Sequence, residues 1–263
     1  MERFFAFLKW TIGLAAAIYL MAPLVVIVLV SFSSSSFFAL PPPEWSFRWY
    51  ERAWGLRGLW DALALSVQIA AISTALSLVL GTLCALGLVR GHLPGRDAIA
   101  NFMVSPLMMP GLVLGVAMLQ FLRDVGLRDA WWSLLIAHVV ITMPFVVRTL
   151  MASLSAFNFS LLDAAQTLGM SFPRAVVSVM IPVLAPAFLT SGLFAFLASM
   201  DNYPISMFLT DARNKTLPIQ MLQYIEESPD PTIAAISSGL ILLAIIVLVV
   251  TSKAVGLRRM VDM

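Results

Sequence analysis

The sequence predicts an all-α integral membrane protein, one transmembrane domain over residues 1–263 with six transmembrane helices. Of the 263 residues 60% are hydrophobic, and only 16 Lys plus Arg and 14 Asp plus Glu are present. In a soluble domain about a quarter of the residues are charged. The charges also leave six long uncharged runs, which are continuously apolar rather than alternating. This pattern favours membrane helices over barrel strands.

Each uncharged run is close to the length that a membrane helix needs, about 20 residues for roughly 30 Å of hydrocarbon. The first run is longer than a secretory signal, so we expect an uncleaved span there. In the third, Pro106 and Pro110 predict a kink. A straight fifth helix would put Asp201 about 28 Å beyond Pro182. The expected spans are about residues 10–31, 62–89, 98–122, 131–150, 175–200 and 232–252.

Six spans put both termini on the same side of the membrane. That side then holds nine basic residues and the other side seven. Basic residues are enriched in cytoplasmic loops, so we expect both termini in the cytoplasm. The nine are Arg3, Lys9, Arg90, Arg96, Arg148, Arg174, Lys253, Arg258 and Arg259.

Several function classes are excluded by composition and by missing motifs. A net charge of +2 gives no nucleic-acid footprint, and a single cysteine, Cys84, cannot form an internal disulfide. The patterns H-E-x-x-H, G-x-S-x-G and G-x-x-x-x-G-K-[ST] are absent. We therefore expect a protein that is not an enzyme, has no metal site and binds no cofactor itself.

The loop at 158–174, between spans four and five, carries the densest local signals. Ser160 can cap a helix while Asp163 reaches back as in a capping box. Gly169 suits the left-handed residue that ends a helix, and Ser171 with Pro173 marks a second helix start. The loop therefore predicts a short helix over 161–168 at the cytoplasmic surface.

The same loop resembles the EAA loop of permeases from binding-protein-dependent ABC importers. Its pattern is Asp163-Ala164-Ala165, three residues, Gly169, then nine residues before Val179-Met180-Ile181-Pro182. Asp163 stands where the family has Glu. In that family the short helix docks into a separate ATPase subunit and transmits its closure. The resemblance implies ATPase-coupling roles for Asp163, Ala164, Ala165, Gly169 and Pro182.

A narrower resemblance covers nearly the whole chain. The stretches at 199–202 and 217–219 are similar to the PotC-like subunit of polyamine-, opine- and aminophosphonate-type importers. This implies a bacterial inner membrane subunit that moves a small polar, cationic amine inward. The implied partners are a second similar permease, two ATPases that bind ATP and Mg, and an external solute-binding protein. The alternative is a self-sufficient secondary transporter or channel, which should show intramembrane charges or an inverted repeat.

Asp201 and Asn202 form an acid–amide pair with apolar sequence on both sides. An Asp deep in a membrane costs about 2.5 to 3.5 kcal/mol unless it faces a cavity or a cation. One interpretation is a substrate-path site, with Tyr203 assisting by hydrogen bonding or stacking. The other is an Asp-Asn turn that ends a helix before Pro204.

Three further features predict packing rather than chemistry. His138 has no acidic partner in its span, so we expect it to be hydrogen-bonded in the bundle rather than to relay protons. Gly111 and Gly115 predict a close helix contact. The segment 217–225 predicts a short amphipathic helix, and the aromatic residues of 45–50 predict a belt at the membrane interface.

Overall fold

The computed structural model describes residues 2–91 and 93–255; Arg258 and Arg259 of the orientation argument lie outside them. The described chain is helical apart from loops and one antiparallel bridge between Ser33 and Trp45. The helices are α1 (Glu2–Ser31), α2 (Arg48–Trp54), α3 (Leu59–Arg90), α4 (Arg96–Val104), α5 (Gly111–Asp124), α6 (Ala130–Ser155), α7 (Ser160–Thr167), α8 (Phe172–Ala175), α9 (Ile181–Val183), α10 (Ala185–Met200), α11 (Tyr203–Leu209), α12 (Leu217–Glu227) and α13 (Thr232–Val255), with a 3-10 turn at Ser105–Met108 and a π-helical turn at Val176–Met180.

Four single helices in the described chain are long and apolar enough to cross a membrane. They are α1 from Phe7 onward, α3, α6 and the part of α13 up to Val249. The third and fifth predicted spans are each divided into two bent pieces, so the number of spans is between four and six.

Both bends have a local cause in proline chemistry. The third run turns by 108° between Met108 and Gly111. Met109 is extended there (φ −86°, ψ 139°), the conformation that a following proline favours. The fifth run turns by 79° at Leu184, between Pro182 and Pro186. The fifth run is therefore not one straight helix, and the 28 Å separation, which assumed a straight helix from Pro182 to Asp201, does not apply.

The smaller of two compact units consists of Met1–Leu59 and Met221–Ser252. Here Trp49 is 1% exposed and its indole N–H donates to the Ser33 carbonyl at 2.6 Å. The Arg52 guanidinium pairs with Asp230 at 3.2 Å. Trp45 and Phe47 are exposed, whereas Tyr50 is half-buried and Trp49 is buried, so the predicted aromatic belt was wrong for Trp49.

The larger unit is formed mainly by Trp60–Gln220 and has two core clusters. Helix α6 contributes to both. Its Leu150 and Leu154 pack with Leu162 of α7 in one cluster. Its Leu134 packs with Ile205 of α11 in the other. Helices α7 and α11, which belong to the two segments singled out from the sequence, thus pack on different turns of α6.

Candidate functional site

The short helix predicted between spans four and five is α7, but its start differs from the prediction. Ser160 is the first helical residue, and the Asn158 side-chain oxygen accepts from its backbone N–H at 3.1 Å and its hydroxyl at 2.7 Å. Asp163 takes no part in a capping box because its carboxylate is engaged by another helix. That part of the prediction was wrong.

The end of α7 follows the prediction closely. Gly169 has φ +88°, a left-handed conformation that disfavours a side chain. Its N–H donates to the Gln166 carbonyl at 2.9 Å, and the Met170 N–H donates to the Ala165 carbonyl at 3.1 Å. This pair of bonds is a Schellman motif, which satisfies carbonyls that the helix leaves open. Pro173 then lies in the first turn of α8.

The two alanines that follow Asp163 have different surroundings. Ala165 is 7% exposed and belongs to the core cluster of this chain, as does Leu162. Ala164 is exposed, and Leu168 is 84% exposed. The exposed surface of α7 therefore includes Ala164 but scarcely Ala165. Pro182 is also exposed and lies in α9, two residues before the bend at Leu184.

Asp163 is held by Arg90, the last residue of α3. The Arg90 Nη2 lies 2.8 Å from the Asp163 Oδ1. The guanidinium carbon of Arg90 is 5.5 Å from the Phe159 ring centre and 5.1 Å from that of Phe172. Its Nη1 is buried without a hydrogen-bond partner.

The Arg90 contacts differ in strength and could not be found from local spacing. The two side chains of the ion pair are 33% and 61% exposed, so it contributes at most about 1 kcal/mol. The aromatic contacts add about 0.5 to 1 kcal/mol each. In the sequence analysis Arg90 entered only the count of basic residues on each side of the membrane. Asp163 lies 73 positions further along the chain.

Asp201 and Asn202 form the joint between α10 and α11. Asp201 follows the last residue of α10, and the Asn202 side-chain oxygen caps α11 by accepting from the Ile205 N–H at 3.2 Å. Helix α10 therefore ends at an Asp-Asn turn before Pro204, as the second interpretation expected, and Asn202 in addition begins α11. Among the described residues nothing hydrogen-bonds or pairs with the exposed Asp201 carboxylate. Tyr203 is half-buried beside it.

A buried polar chain centred on His138 crosses this joint. His138 is 1% exposed; its Nδ1 lies 2.7 Å from the Ser199 Oγ and its Nε2 lies 3.1 Å from the Ser206 Oγ. The Ser206 hydroxyl donates to the Asn202 carbonyl at 2.5 Å, so it accepts from Nε2–H. Nδ1 then accepts from Ser199, which in turn lies 3.4 Å from the Ser73 hydroxyl.

This network confirms that His138 is hydrogen-bonded within the bundle. Its two ring nitrogens join the last turn of α10 to the first turns of α11, one on each side of the joint. Ser199 and Ser206 were used only for the family resemblance and were not predicted as partners of His138, because they lie seven positions apart across a helix break and share no regular helical face.

The glycine pair of the third run packs against the same joint. A Cβ on Gly115 would lie 2.7 Å from the Phe208 ring and 3.0 Å from the Pro204 carbonyl oxygen. A Cβ on Gly111 would lie 2.9 Å from the Pro204 Cβ. The distances of 2.7 Å and 2.9 Å are too short for a Cβ, so the predicted close helix contact is confirmed. It joins α5 to α11.

A cavity of about 410 Å³ lies beside α11, between the ends of α5 and α11 and the start of α6. Arg123, Arg128 and Asp211 line it with apolar neighbours. The backbone N–H of Asn214, and that of Arg213 less strongly, hold the pKa of the Asp211 carboxyl below its usual value. The two guanidinium groups make the cavity a poor fit for a cationic solute.

Comparison with known proteins places the chain in a family. Residues 77–262 match the family model described as "Binding-protein-dependent transport system inner membrane component". The spermidine/putrescine transport system permease protein PotC of Haemophilus influenzae is 29% identical, with 95% of this chain and 96% of the relative covered. The putrescine transport system permease protein PotI of Escherichia coli K12 is 28% identical over 84% of this chain and 80% of the relative.

A solved structure has the same fold. It is a bacterial ABC transporter involved in the import of the acidic polysaccharide alginate, with a TM-score of 0.77, 21% identity and 96% coverage of both chains. The resemblance of the loop at 158–174 and the family match agree on one class of membrane protein. The chain is a multi-pass protein of the inner membrane and belongs to the family of inner membrane components of binding-protein-dependent transport systems.

Proposed function

We propose that this chain is the permease subunit of an ATP-driven importer and passes a small polar, cationic amine inward. The observation that carries the proposal is α7, a short helix anchored by Leu162 in the core, with Ala164 exposed and the exposed Leu168 directly after it. A firmly held helix with exposed apolar side chains suits docking into a groove on another subunit. The family match supports this function over a self-sufficient transporter.

ATP binding and hydrolysis then belong to two partner ATPase subunits, which supply Mg and nucleotide. A second, similar permease completes the pore, and a solute-binding protein delivers the solute from outside. The proposed solute-binding protein is supported by a bacterial alginate ABC transporter of similar fold, which has been solved in complex with a periplasmic protein.

The proposal of an amine solute rests on two observations. Two relatives that cover 95% and 90% of this chain are permease proteins of spermidine/putrescine transport systems. Asp201 is an exposed carboxylate without a partner among the described residues, and the adjacent Asn202 already performs the capping. A carboxylate in apolar surroundings favours a cation. Tyr203, two positions further along the chain and half-buried, would assist by stacking or hydrogen bonding.

The test is reconstitution of the complete complex in liposomes, with the solute-binding protein on the outer side and ATP inside. Uptake of radiolabelled putrescine or spermidine should require ATP and the binding protein. Alginate oligosaccharide and an uncharged polyol of similar size serve as competitors and should have no effect. ATP-dependent uptake of another solute alone would contradict the amine assignment, and uptake without ATP would contradict the importer.

A further inference from the structure

We infer that Arg90 is a positioning residue that joins α7 to α3, so that movement of α7 reaches the joint at Asp201 through α3. The inference rests on the proposed function of α7 as the contact with the ATPase. It assigns a second route of transmission besides the covalent continuation of α7 into α8, α9 and α10.

Arg90 contacts the loop at 158–174 in three places. Its Nη2 binds the Asp163 carboxylate inside α7, and its guanidinium plane is flanked by Phe159 before α7 and Phe172 at the start of α8. A planar guanidinium suits this combination because it can stack and hydrogen-bond at the same time, which an ammonium group cannot. The loop can therefore be displaced only if Arg90 follows or its contacts break.

The covalent route is poorly suited to transmit a displacement. After α8 the chain forms a π-helical turn at Val176–Met180, and it bends by 79° at Leu184 before α10 begins. Each irregularity lets the backbone absorb movement instead of passing it on.

The route through α3 is continuous. This helix runs unbroken over Leu59–Arg90 without an internal proline. Ser73, about 26 Å from Arg90 along the axis, lies 3.4 Å from Ser199 and so meets the polar chain of His138. Leu78 of α3 also packs at Gly192 of α10. One rigid element thus links the Asp163 end of the bundle to the joint that carries Asp201.

The ion pair between Arg90 and Asp163 uses only one of the two terminal nitrogens of the guanidinium group. Only Nη2 binds Asp163, while Nη1 is buried without an acceptor. A buried donor without a partner is unfavourable, and arginine–carboxylate pairs are strongest when both nitrogens bind. A small rotation of α7 that brought the second carboxylate oxygen to Nη1 would therefore be favoured by this ion pair.

The experiment measures coupling in the reconstituted complex, as solute moved per ATP hydrolysed. Arg90→Gln and Arg90→Lys are compared with Arg96→Gln as the matched control, since Arg96 is exposed and pairs only with its neighbour Asp97. We expect the Arg90 variants to retain complex assembly and ATP hydrolysis but to lose roughly threefold to tenfold in solute per ATP. Arg96→Gln should not change it.

Exchanging the charges of Arg90 and Asp163 tests whether their contact, rather than a general loss of folding, accounts for the loss of coupling. The double variant Arg90→Asp with Asp163→Arg should recover part of the coupling that each single change removes, because the pair is restored with reversed polarity. If Arg90→Gln moved as much solute per ATP as the wild type, or if the double variant recovered no coupling, the inference about Arg90 would be overturned while the proposed function would stand. Failure of the wild-type complex to couple ATP to uptake would overturn the proposed function and this inference together.

Discussion

At the scale of single residues, the carboxylate of Asp201 and the amide of Asn202 separate into two roles. Asn202 caps α11, whereas the Asp201 carboxylate has no partner among the described residues. Sequence alone left two interpretations for the pair because both residue types favour turns. The structure shows that the amide performs the capping.

We therefore expect Asp201→Asn to fold and assemble normally but to take up a cationic solute at least about tenfold more slowly, since one lost charge contact of about 1.4 kcal/mol gives that factor. Radiotracer uptake in proteoliposomes checks this. Asn202→Ala is the complementary variant, which should lower thermal stability by loss of the cap, about 1 kcal/mol. Unchanged uptake by Asp201→Asn would leave that residue only a turn former.

His138 gives a prediction about stability. His138→Ala removes two side-chain hydrogen bonds, which average about 0.6 kcal/mol each in membrane bundles, and leaves a cavity as well. The total expected loss is about 1 to 3 kcal/mol. Thermal unfolding of the purified complex in detergent measures it. Ser155→Ala, which removes an exposed hydroxyl bond from the same helix α6, should have almost no effect; equal losses in both variants would contradict a special role for the network.

At the scale of elements, the end of α7 depends on one backbone conformation. Gly169 is left-handed at φ +88°, and a Cβ added there would meet nothing within 4 Å, so Gly169→Val is opposed by backbone strain and not by a clash. That strain is about 1 to 2 kcal/mol. We expect the Val variant to displace α7 and to lower solute moved per ATP while the permease stays folded.

The chain contains a matched control for this variant. Gly126, after α5, has φ +84° and equally open space around it. Gly126→Val imposes the same strain away from α7, and it should leave the coupling ratio unchanged. Equal loss of coupling in both variants would show that strain anywhere in the fold is sufficient, and would remove the special role of α7.

The contact between α5 and α11 is the second prediction at this scale. Gly115→Ala would place a Cβ 2.7 Å from Phe208 and 3.0 Å from a backbone oxygen, and the backbone cannot move aside as a flexible side chain can. We expect the two helices to separate and thermal stability to fall by about 1 to 3 kcal/mol. Gly239→Ala in α13, where a Cβ would contact nothing within 4 Å, should be neutral or slightly stabilising.

Local sequence patterns predicted the ends of helices and the close glycine contact, but they did not predict the partner of Asp163. The end of α7 at Gly169, the start at Pro173 and the tight packing of Gly115 all follow from short-range chemistry, and they were correct. The partner of Asp163 was assigned within its own helix, whereas the structure pairs it with a residue of α3. Long-range pairing depends on how helices pack, which no local spacing encodes. A straight fifth helix was assumed although Pro182 and Pro186 flank the bend at Leu184.

At the scale of the whole molecule, the orientation in the membrane stays a prediction. In a Cys84→Ser background, single cysteines at the exposed positions Arg96 and Glu226 report the two sides. A membrane-impermeant maleimide added outside cells should label position 226 and should label position 96 only after the membrane is permeabilised. The reverse pattern would invert the topology and place α7 outside, where no ATPase could reach it.

The first helix has a consequence for how freely its sequence can vary. None of the most apolar window of α1 is buried by the rest of the described chain. Such a helix is selected for apolarity and length, not for the shape of each side chain. We expect exchanges among Leu, Ile, Val and Phe between positions 12 and 26 to be nearly silent in a saturation library, unlike those in α6. The family model, which begins at residue 77, leaves this helix out.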